Sequence, residues 1–145
     1  QMVEFYLILI AAGAAVSGSS FWRLLVGTLV MIIGGYLGEA GIISVLLGFI
    51  VGMIGWAVII WEIFRGEASQ AAASNESVSS AFNAMRLVVL VGWAIYPLGY
   101  VFGLMTGSVD ANTLNWVYNL ADFVNKILFG LFIWMAAVKD TAKTA

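Results

Sequence analysis

The stretch of residues 116–138, WVYNLADFVNKILFGLFIWMAAV, decides the fold of this chain. It is a long apolar run with two charged residues near its centre, Asp122 and Lys126. A helix needs about 20 apolar residues to span a bilayer, so the run is predicted to be a membrane-spanning helix. Because the two charges are four positions apart, they lie on one face of that helix, one turn from each other.

Lys126 is the residue that most needs an explanation. It lies roughly 20 Å along the helix from Lys139, too deep for its ammonium group to reach the headgroups with ease. An ionisable group at that depth costs about 2.5–3.5 kcal/mol to insert, and by default it has a partner and a function. The residues alone leave several interpretations open: an ion pair with Asp122, a cation in a water-filled cavity, or an amine used covalently. A desolvated lysine condenses readily with a carbonyl group to give a Schiff base, whose positive charge Asp122 would balance.

The composition places the chain in the membrane. Of its 145 residues, 63% are hydrophobic and only 10% are charged, whereas soluble domains carry about 25% charged residues. The absence of cysteine excludes disulfides and thiolate metal sites, and the absence of histidine removes the commonest metal ligand. No metal site is therefore expected. No nucleic-acid partner is expected either, a prediction on which the formal charge of −2 gives no information.

The apolar segments predict one all-α transmembrane domain that covers residues 1–145. Besides the run already quoted, apolar segments are expected at residues 1–16, 21–37, 42–64 and 81–104. The first is too short to span a bilayer unless its beginning is missing. The polar stretch at residues 65–80 is predicted to be a mobile loop, and residues 106–112 to be another.

The basic residues predict the orientation. With alternating helix ends, all lysines and arginines except Lys126 fall on one side of the membrane, namely Arg23, Arg65, Arg86, Lys139 and Lys143. The other side has Glu39 and Asp110. Positive-inside bias then places the C-terminus in the cytoplasm. Asp122 is expected on the extracellular side of Lys126.

Glu4 is a second charge expected within the bilayer, on the cytoplasmic side of Lys126. A lone carboxyl group in hydrocarbon keeps its proton, so Glu4 is a candidate proton donor; the alternative is an interfacial glutamate that reaches water. Glu62, one turn from Arg65, is predicted to form an exposed charge pair of little energy.

Aromatic residues follow one face of the segment at residues 81–104. Trp93, Tyr96 and Tyr100 form a stripe at helical spacing, which is more often core packing than a ligand site. Trp56 and Met31 on earlier segments are candidates to face the same space. Pro97 frees a backbone carbonyl one turn earlier, which makes a hinge plausible.

Two strings carry a resemblance to a known family: GWAIYP at residues 92–97 and YNLADFVNKILFG at residues 118–130. They resemble the last two helices of a microbial (type 1) rhodopsin, and within that family the proteorhodopsin group most closely. LLVGTLVMIIGGYLGEAG at residues 24–41 and VEFYLIL at residues 3–9 fit the same family. The resemblance implies a seven-transmembrane-helix retinal protein, of which this chain supplies the inner part of helix C and helices D–G. Helices A, B and the outer part of C, with the primary counter-ion, are expected outside this chain.

The resemblance also implies roles for individual residues. Lys126 matches the lysine that bears all-trans retinal as a protonated Schiff base, Asp122 the counter-ion on the same helix, and Glu4 the cytoplasmic proton donor. Gln1 matches a position that tunes colour, where glutamine accompanies blue absorption. The other implied retinal-binding residues are Met31, Gly35, Trp56, Trp93, Tyr96, Pro97, Tyr100 and Asn125.

The implied function is a light-driven outward proton pump, not an enzyme, in the bacterial inner membrane. Pentamers or hexamers are expected, with lipid, retinal and protons as partners. Chloride- and sodium-pumping relatives usually lack a carboxylate at the Glu4 position, which favours protons. A slow photosensory rhodopsin that signals through a partner is the alternative from another class. Phe49 occupies the position where antenna-carrying relatives have glycine, so no carotenoid antenna is expected.

Overall fold

The computed structural model describes residues 1–74 and 76–144 of the chain, without the side chains of Ser77, Lys143 and Thr144. The predicted location of Lys143 on the basic side of the membrane therefore rests on a side chain outside the described part of the chain. Two π-helical turns, Val88–Gly92 and Val101–Met105, flank α6. The α-helices of the described part are α1 (Met2–Ala11), α2 (Gly18–Glu39), α3 (Val45–Phe64), α4 (Glu67–Ala72), α5 (Glu76–Leu87), α6 (Ile95–Tyr100) and α7 (Ala111–Thr144).

The all-helical membrane fold expected from the sequence is confirmed. The segments long and apolar enough to cross a bilayer are Gly18–Glu39, Val45–Ala72, Val78–Met105 and Ala111–Ala142. The short apolar helix α1 precedes them. The ionic contacts place Arg23 and Arg86 at one end of this bundle, because Arg23 pairs with Glu62 and Arg86 lies 4.7 Å from the Phe64 ring.

The helix bounds differ from the predicted ones, because polar side chains cap helices at positions that the apolar pattern does not predict. Asp110 accepts hydrogen bonds from the backbone N–H groups of Asn112 and Thr113, at 3.0 Å each, so α7 begins at Ala111. The Thr113 hydroxyl also donates to Asp110, and these bonds hold the pKa of the Asp110 carboxyl below its usual value. At its other end α7 continues to Thr144, beyond the apolar run at residues 116–138.

The prediction of a loop over residues 65–80 is wrong. α4 and the first turn of α5 occupy most of this stretch. The alanine-rich sequence favours a helix once one face is packed, and Ala68 and Ala72 are buried on that face.

The prediction for Glu62 is also wrong. Its side chain is fully buried, and its partner is Arg23 on α2 rather than Arg65. Glu62 Oε2 accepts from Arg23 Nε at 2.6 Å, and Oε1 accepts from Ser20 Oγ at 2.5 Å and from the Ala68 N–H at 3.1 Å. The sequence spacing pointed to Arg65, but the antiparallel packing of α2 on α3 brings Arg23 across.

Glu67 extends this arrangement from α4. It accepts from Ser17 Oγ at 2.6 Å and from Arg23 Nη2 at 3.2 Å. Arg23, Glu62 and Glu67, with Ser17 and Ser20, form what we call the Glu62 cluster. It ties α4 and the start of α2 to the end of α3.

Glycines allow α2 and α3 to pack closely along their lengths. A Cβ atom at Gly55 would lie within 3.0 Å of the Met31 backbone, and one at Gly34 would meet the side chain of Val51. This packing forms one wall of the site. A second core joins α1, α5 and α7, where Phe5 contacts Phe82 and Phe129 edge-on at centroid distances of 4.9 and 5.2 Å.

Candidate functional site

A cavity of about 490 Å³ opens between α2, α3, α6 and α7. Most of the residues singled out in the sequence line it: Gln1, Met31, Gly35, Trp56, Trp93, Tyr96, Pro97, Tyr100 and Asp122. Its volume lies within the range of about 300–1,000 Å³ that is usual for small-molecule sites, and its apolar, aromatic lining is also typical of them.

The charged end of the cavity is built on α7. Lys126 Nζ donates to Asp122 Oδ2 at 2.5 Å, one turn away on the same helix face. The Tyr96 hydroxyl donates to the other oxygen, Asp122 Oδ1. Within this chain the Lys126 side chain is 60% exposed and that of Asp122 is 44% exposed. The carboxylate therefore has one neutral and one cationic partner among the described residues.

Tyr118 is a site residue that the sequence reasoning missed. It lines the cavity, and its hydroxyl donates to the Tyr96 carbonyl at 3.0 Å. Its position one turn before Asp122, on the face that also carries Lys126, was the available signal. Other lining residues not singled out as retinal-binding are Ile32, Tyr36, Glu39, Gly48, Phe49, Gly52 and Met53.

The opposite end of the cavity is closed by Tyr100 and Phe49, whose rings lie 5.7 Å apart. The Tyr100 hydroxyl donates to the Val45 carbonyl at 3.1 Å. It lies against Gly38 and Gly48, where any side chain would collide with the tyrosine. This end is thus fixed to the first turn of α3.

The π-helical turn Val88–Gly92 lies beside the site and has two side chains bonded to its carbonyls. Trp56 Nε1 donates to the Val89 carbonyl, and Asn125 Nδ2 donates to the Gly92 carbonyl, each at 3.2 Å. Asn125 is buried, 6% exposed, and is not among the residues that line the cavity. Its expected role in binding retinal stays a prediction.

Gln1 and Glu4 on the short helix α1 face different spaces. Gln1 lines the aromatic cavity, and its Nε2 lies 3.5 Å from the carbonyl oxygen of Asn125, next to Lys126. Glu4 instead lines a second cavity of about 520 Å³, with Asp140 and Thr141 from the end of α7. The two cavities share no lining residue, and Lys126 lines neither of them.

The donor set fits an elongated apolar aldehyde such as retinal. Lys126 offers the amine, Asp122 a balancing charge, and the aromatic side chains an apolar enclosure. A polyene ring at the far end would meet Tyr100 and Trp56, which both line the cavity. The arrangement suits a covalently held apolar chromophore.

Comparison with known sequences yields matches along nearly the whole chain. A family model described as bacteriorhodopsin-like protein matches residues 1–140. A blue-light absorbing proteorhodopsin from Gamma-proteobacterium Hot 75m4 is 53% identical over 145 residues, covering 98% of this chain and 57% of its own length. A green-light absorbing proteorhodopsin from Gamma-proteobacterium EBAC31A08 is 51% identical over 141 residues, covering 96% of this chain and 56% of its own length.

Solved structures give the same result. The crystal structure of a blue light-absorbing proteorhodopsin from Med12 matches with a TM-score of 0.77 and 48% identity, over 97% of this chain and 61% of that chain. The Exiguobacterium sibiricum rhodopsin matches with a TM-score of 0.83 and 30% identity, over 99% of this chain and 67% of that chain. The chain thus spans a little more than half the length of the curated relatives it matches.

Proposed function

Because the chain belongs to the bacteriorhodopsin-like family, we propose that it is part of a light-driven outward proton pump with retinal bound at Lys126. The observation that carries the proposal is the amine–carboxylate pair of Lys126 and Asp122 at the end of an aromatic cavity. The resemblance to proteorhodopsins, at 51–53% identity over almost all of this chain, supports it.

The cofactor we propose is all-trans retinal. Bound to Lys126 as a protonated Schiff base, it supplies light absorption and a change of shape at the lysine nitrogen. Trp56, Trp93 and Tyr100 enclose the apolar space, while Pro97 and Gly35 shape its walls. These side chains exclude water and orient whatever occupies the cavity.

Asp122 and Tyr96 act on the proton at Lys126 Nζ. Asp122 Oδ2 lies 2.5 Å from that nitrogen, so it stabilises a positive charge there. The Tyr96 hydroxyl donates to the other carboxylate oxygen and fixes its direction. When light moves the nitrogen, its proton leaves toward the extracellular carboxylates, of which Asp122 is one. The proton is thus released on the side that has no lysine or arginine.

Glu4 is the proposed source of the replacement proton. Its cavity lies against the end of α7 that carries Lys139 and Asp140, the end we assign to the cytoplasm. A proton given up by the Glu4 carboxyl to Lys126 Nζ would complete net outward transfer. The two cavities share no lining residue within this chain, and we propose that a conformational change joins them before that transfer.

Gln1 is proposed to make the pigment blue-absorbing. Its amide lies beside the carbonyl of Asn125, one residue from the chromophore-bearing lysine. A polar amide at the charged end of the polyene stabilises the ground-state charge more than the shifted charge of the excited state. The identities to a blue- and a green-absorbing relative differ by two percentage points, so they favour neither colour.

The wider assignments are proposals of the same kind. We propose a single seven-helix domain to which residues 1–145 contribute helices D–G and part of C. We further propose that it lies in the bacterial inner membrane, with a cytoplasmic C-terminus, as a pentamer or hexamer.

The test is light-driven acidification by cells that make the complete protein with added retinal. Under light we expect sustained acidification of the medium that a protonophore abolishes. Glu4→Gln should slow the late, proton-uptake phase of the photocycle, because an amide has no proton to give. Glu67→Gln, a carboxyl change in the Glu62 cluster, is the matched control and should leave that phase unchanged. Unchanged kinetics in Glu4→Gln would exclude the donor role.

Photocycle time separates the pump from the photosensor. Recovery in tens of milliseconds supports a pump, because transport requires rapid turnover, whereas recovery in seconds supports a sensor.

A further inference from the structure

The π-helical turn Val88–Gly92 ends five residues before Pro97 and has an unusual hydrogen-bond pattern. Proline has no N–H, so the Trp93 carbonyl lacks its usual donor at position 97. The Tyr96 N–H bonds that carbonyl instead, at 3.1 Å. As a result, the Gly92 carbonyl loses its own usual donor, the Tyr96 N–H.

A backbone hydrogen bond to the first residue of the π-helical turn, Val88, is displaced in the same way. The Trp93 N–H bonds to the Val88 carbonyl at 3.1 Å, five residues back, rather than to Val89. Three carbonyls of this stretch have therefore lost their usual donors: that of the exposed Leu90, and those of Val89 and Gly92, which are less exposed. A buried carbonyl without a donor costs free energy, so each of the last two needs a replacement.

The replacements come from two different helices. Trp56 on α3 bonds the Val89 carbonyl, and Asn125 on α7 bonds the Gly92 carbonyl. Position 92 is suited to this contact, because a Cβ atom there would collide with the Asn125 side-chain oxygen. Asn125 directly precedes Lys126, so any displacement of the α7 backbone at the lysine moves this amide.

We propose that Asn125 is a positioning residue that latches the π-helical turn to α7 and thereby holds α5 in the position that the structure shows. Movement at Lys126 breaks the Asn125–Gly92 bond, and α5 then swings about the π-helical turn rather than about Pro97. This inference rests on the proposed function for its trigger. The latch itself concerns only residues of this chain.

The first experiment measures the latch spectroscopically in the full-length pigment. Asparagine labelled with ¹³C at the side-chain amide carbon is incorporated, and light-minus-dark infrared spectra are recorded. We expect a light-induced amide band that disappears in Asn125→Leu, which has a similar shape and no donor. Asn119→Ala, an exposed α7 asparagine in this chain, is the control and should retain the band. A band that survives in Asn125→Leu, or its absence from the parent protein, would overturn the proposal.

The second experiment measures the position of α5 in darkness. The chain has no cysteine, so spin labels at Ala15→Cys and Ser80→Cys, both exposed positions, report one distance between the α1–α2 connection and α5. In Asn125→Leu, the loss of this one hydrogen bond should raise about fivefold the share of molecules that show the light-state distance in the dark. A distribution identical to that of the parent protein would contradict the latch.

Gly92→Ala gives an independent version of both experiments, because the added methyl group displaces the Asn125 amide without altering it. It should reproduce the effects of Asn125→Leu, and parent-like spectra and distances would count against the proposal. If the parent protein forms no visible pigment with retinal, the proposed function fails. If the pigment forms but the variants behave like the parent, only the latch fails.

Discussion

Two groups of charged residues lie within the helices of this protein, and they are built in opposite ways. In the Glu62 cluster the carboxylate is fully buried, with donors from Arg23, Ser20 and the Ala68 backbone. In the pair on α7, Asp122 and Lys126 are 44% and 60% exposed and lie at one end of a large cavity.

The difference separates a structural charge from a reactive one. Glu62 has its hydrogen-bonding capacity used by the protein and has no free space beside it, so it stabilises the junction of α2, α3 and α4. Asp122 and Lys126 have fewer partners within this chain, and Asp122 lines a cavity where a ligand can bind. An intramembrane charge is functional by default, but complete enclosure by donors argues for a structural role.

Removing the Glu62 carboxylate should have the largest effect on stability. Glu62→Ala would leave Ser20 and the Ala68 N–H without their acceptor and Arg23 with only Glu67, and should lower the free energy of unfolding by about 3 kcal/mol. Unfolding in mixed detergent micelles measures this change. The absorption maximum of the folded fraction should stay the same, and a shifted maximum would mean that the cluster is coupled to the cavity.

A double variant tests whether charge or packing causes that loss of stability. Replacing both charges, with Arg23→Met and Glu62→Leu, should recover much of the lost stability, because an apolar pair of similar size replaces the ion pair without leaving a buried charge. If the double variant is as unstable as Glu62→Ala, packing rather than charge explains the loss.

Two adjacent glycines, Gly34 and Gly35, allow the effect of helix packing to be measured separately from the effect of the cavity lining. Gly34→Ala should lower stability by about 1–3 kcal/mol, because its methyl group would meet Val51. Gly35→Ala has open space around it and lines the cavity. It should therefore change stability little and move the absorption maximum instead. Equal stability losses in the two variants would contradict this division.

Asp122→Asn should have the smallest effect on stability and a clear effect on colour. Asparagine keeps the shape of the side chain and one acceptor oxygen, so the free energy of unfolding should fall by no more than the value of one hydrogen bond, about 1 kcal/mol. Loss of a negative charge beside the proposed chromophore nitrogen destabilises the ground state more than the excited state. Absorption should therefore move to longer wavelength, and a maximum that stays in place would remove Asp122 from the counter-ion role.

The sequence predicted best what depends on periodicity. Helical geometry predicts the spacing of Asp122 and Lys126 and the stripe of Trp93, Tyr96 and Tyr100. In the structure Asp122 and the three aromatic residues line one cavity. Lys126 does not line it but bonds to Asp122, which does. The resemblance to microbial rhodopsins is confirmed by the family match.

What the sequence did not predict depends on contacts between helices. Glu62 finds Arg23 from 39 positions away, which no local spacing reveals. The π-helical turn Val88–Gly92 arises where displaced backbone bonds are compensated by Trp56 and Asn125, donors on other helices. α4 forms because its alanines are packed, so a stretch that reads as a polar loop becomes a helix.

The most direct test of the central claim is to locate the chromophore. The full-length pigment is reduced with borohydride under light, digested, and its retinyl adduct mapped by mass spectrometry. We predict a single adduct on Lys126, and Lys126→Ala should abolish both the adduct and visible absorption. An adduct on Lys139 or Lys143, or visible absorption that survives in Lys126→Ala, would contradict the account.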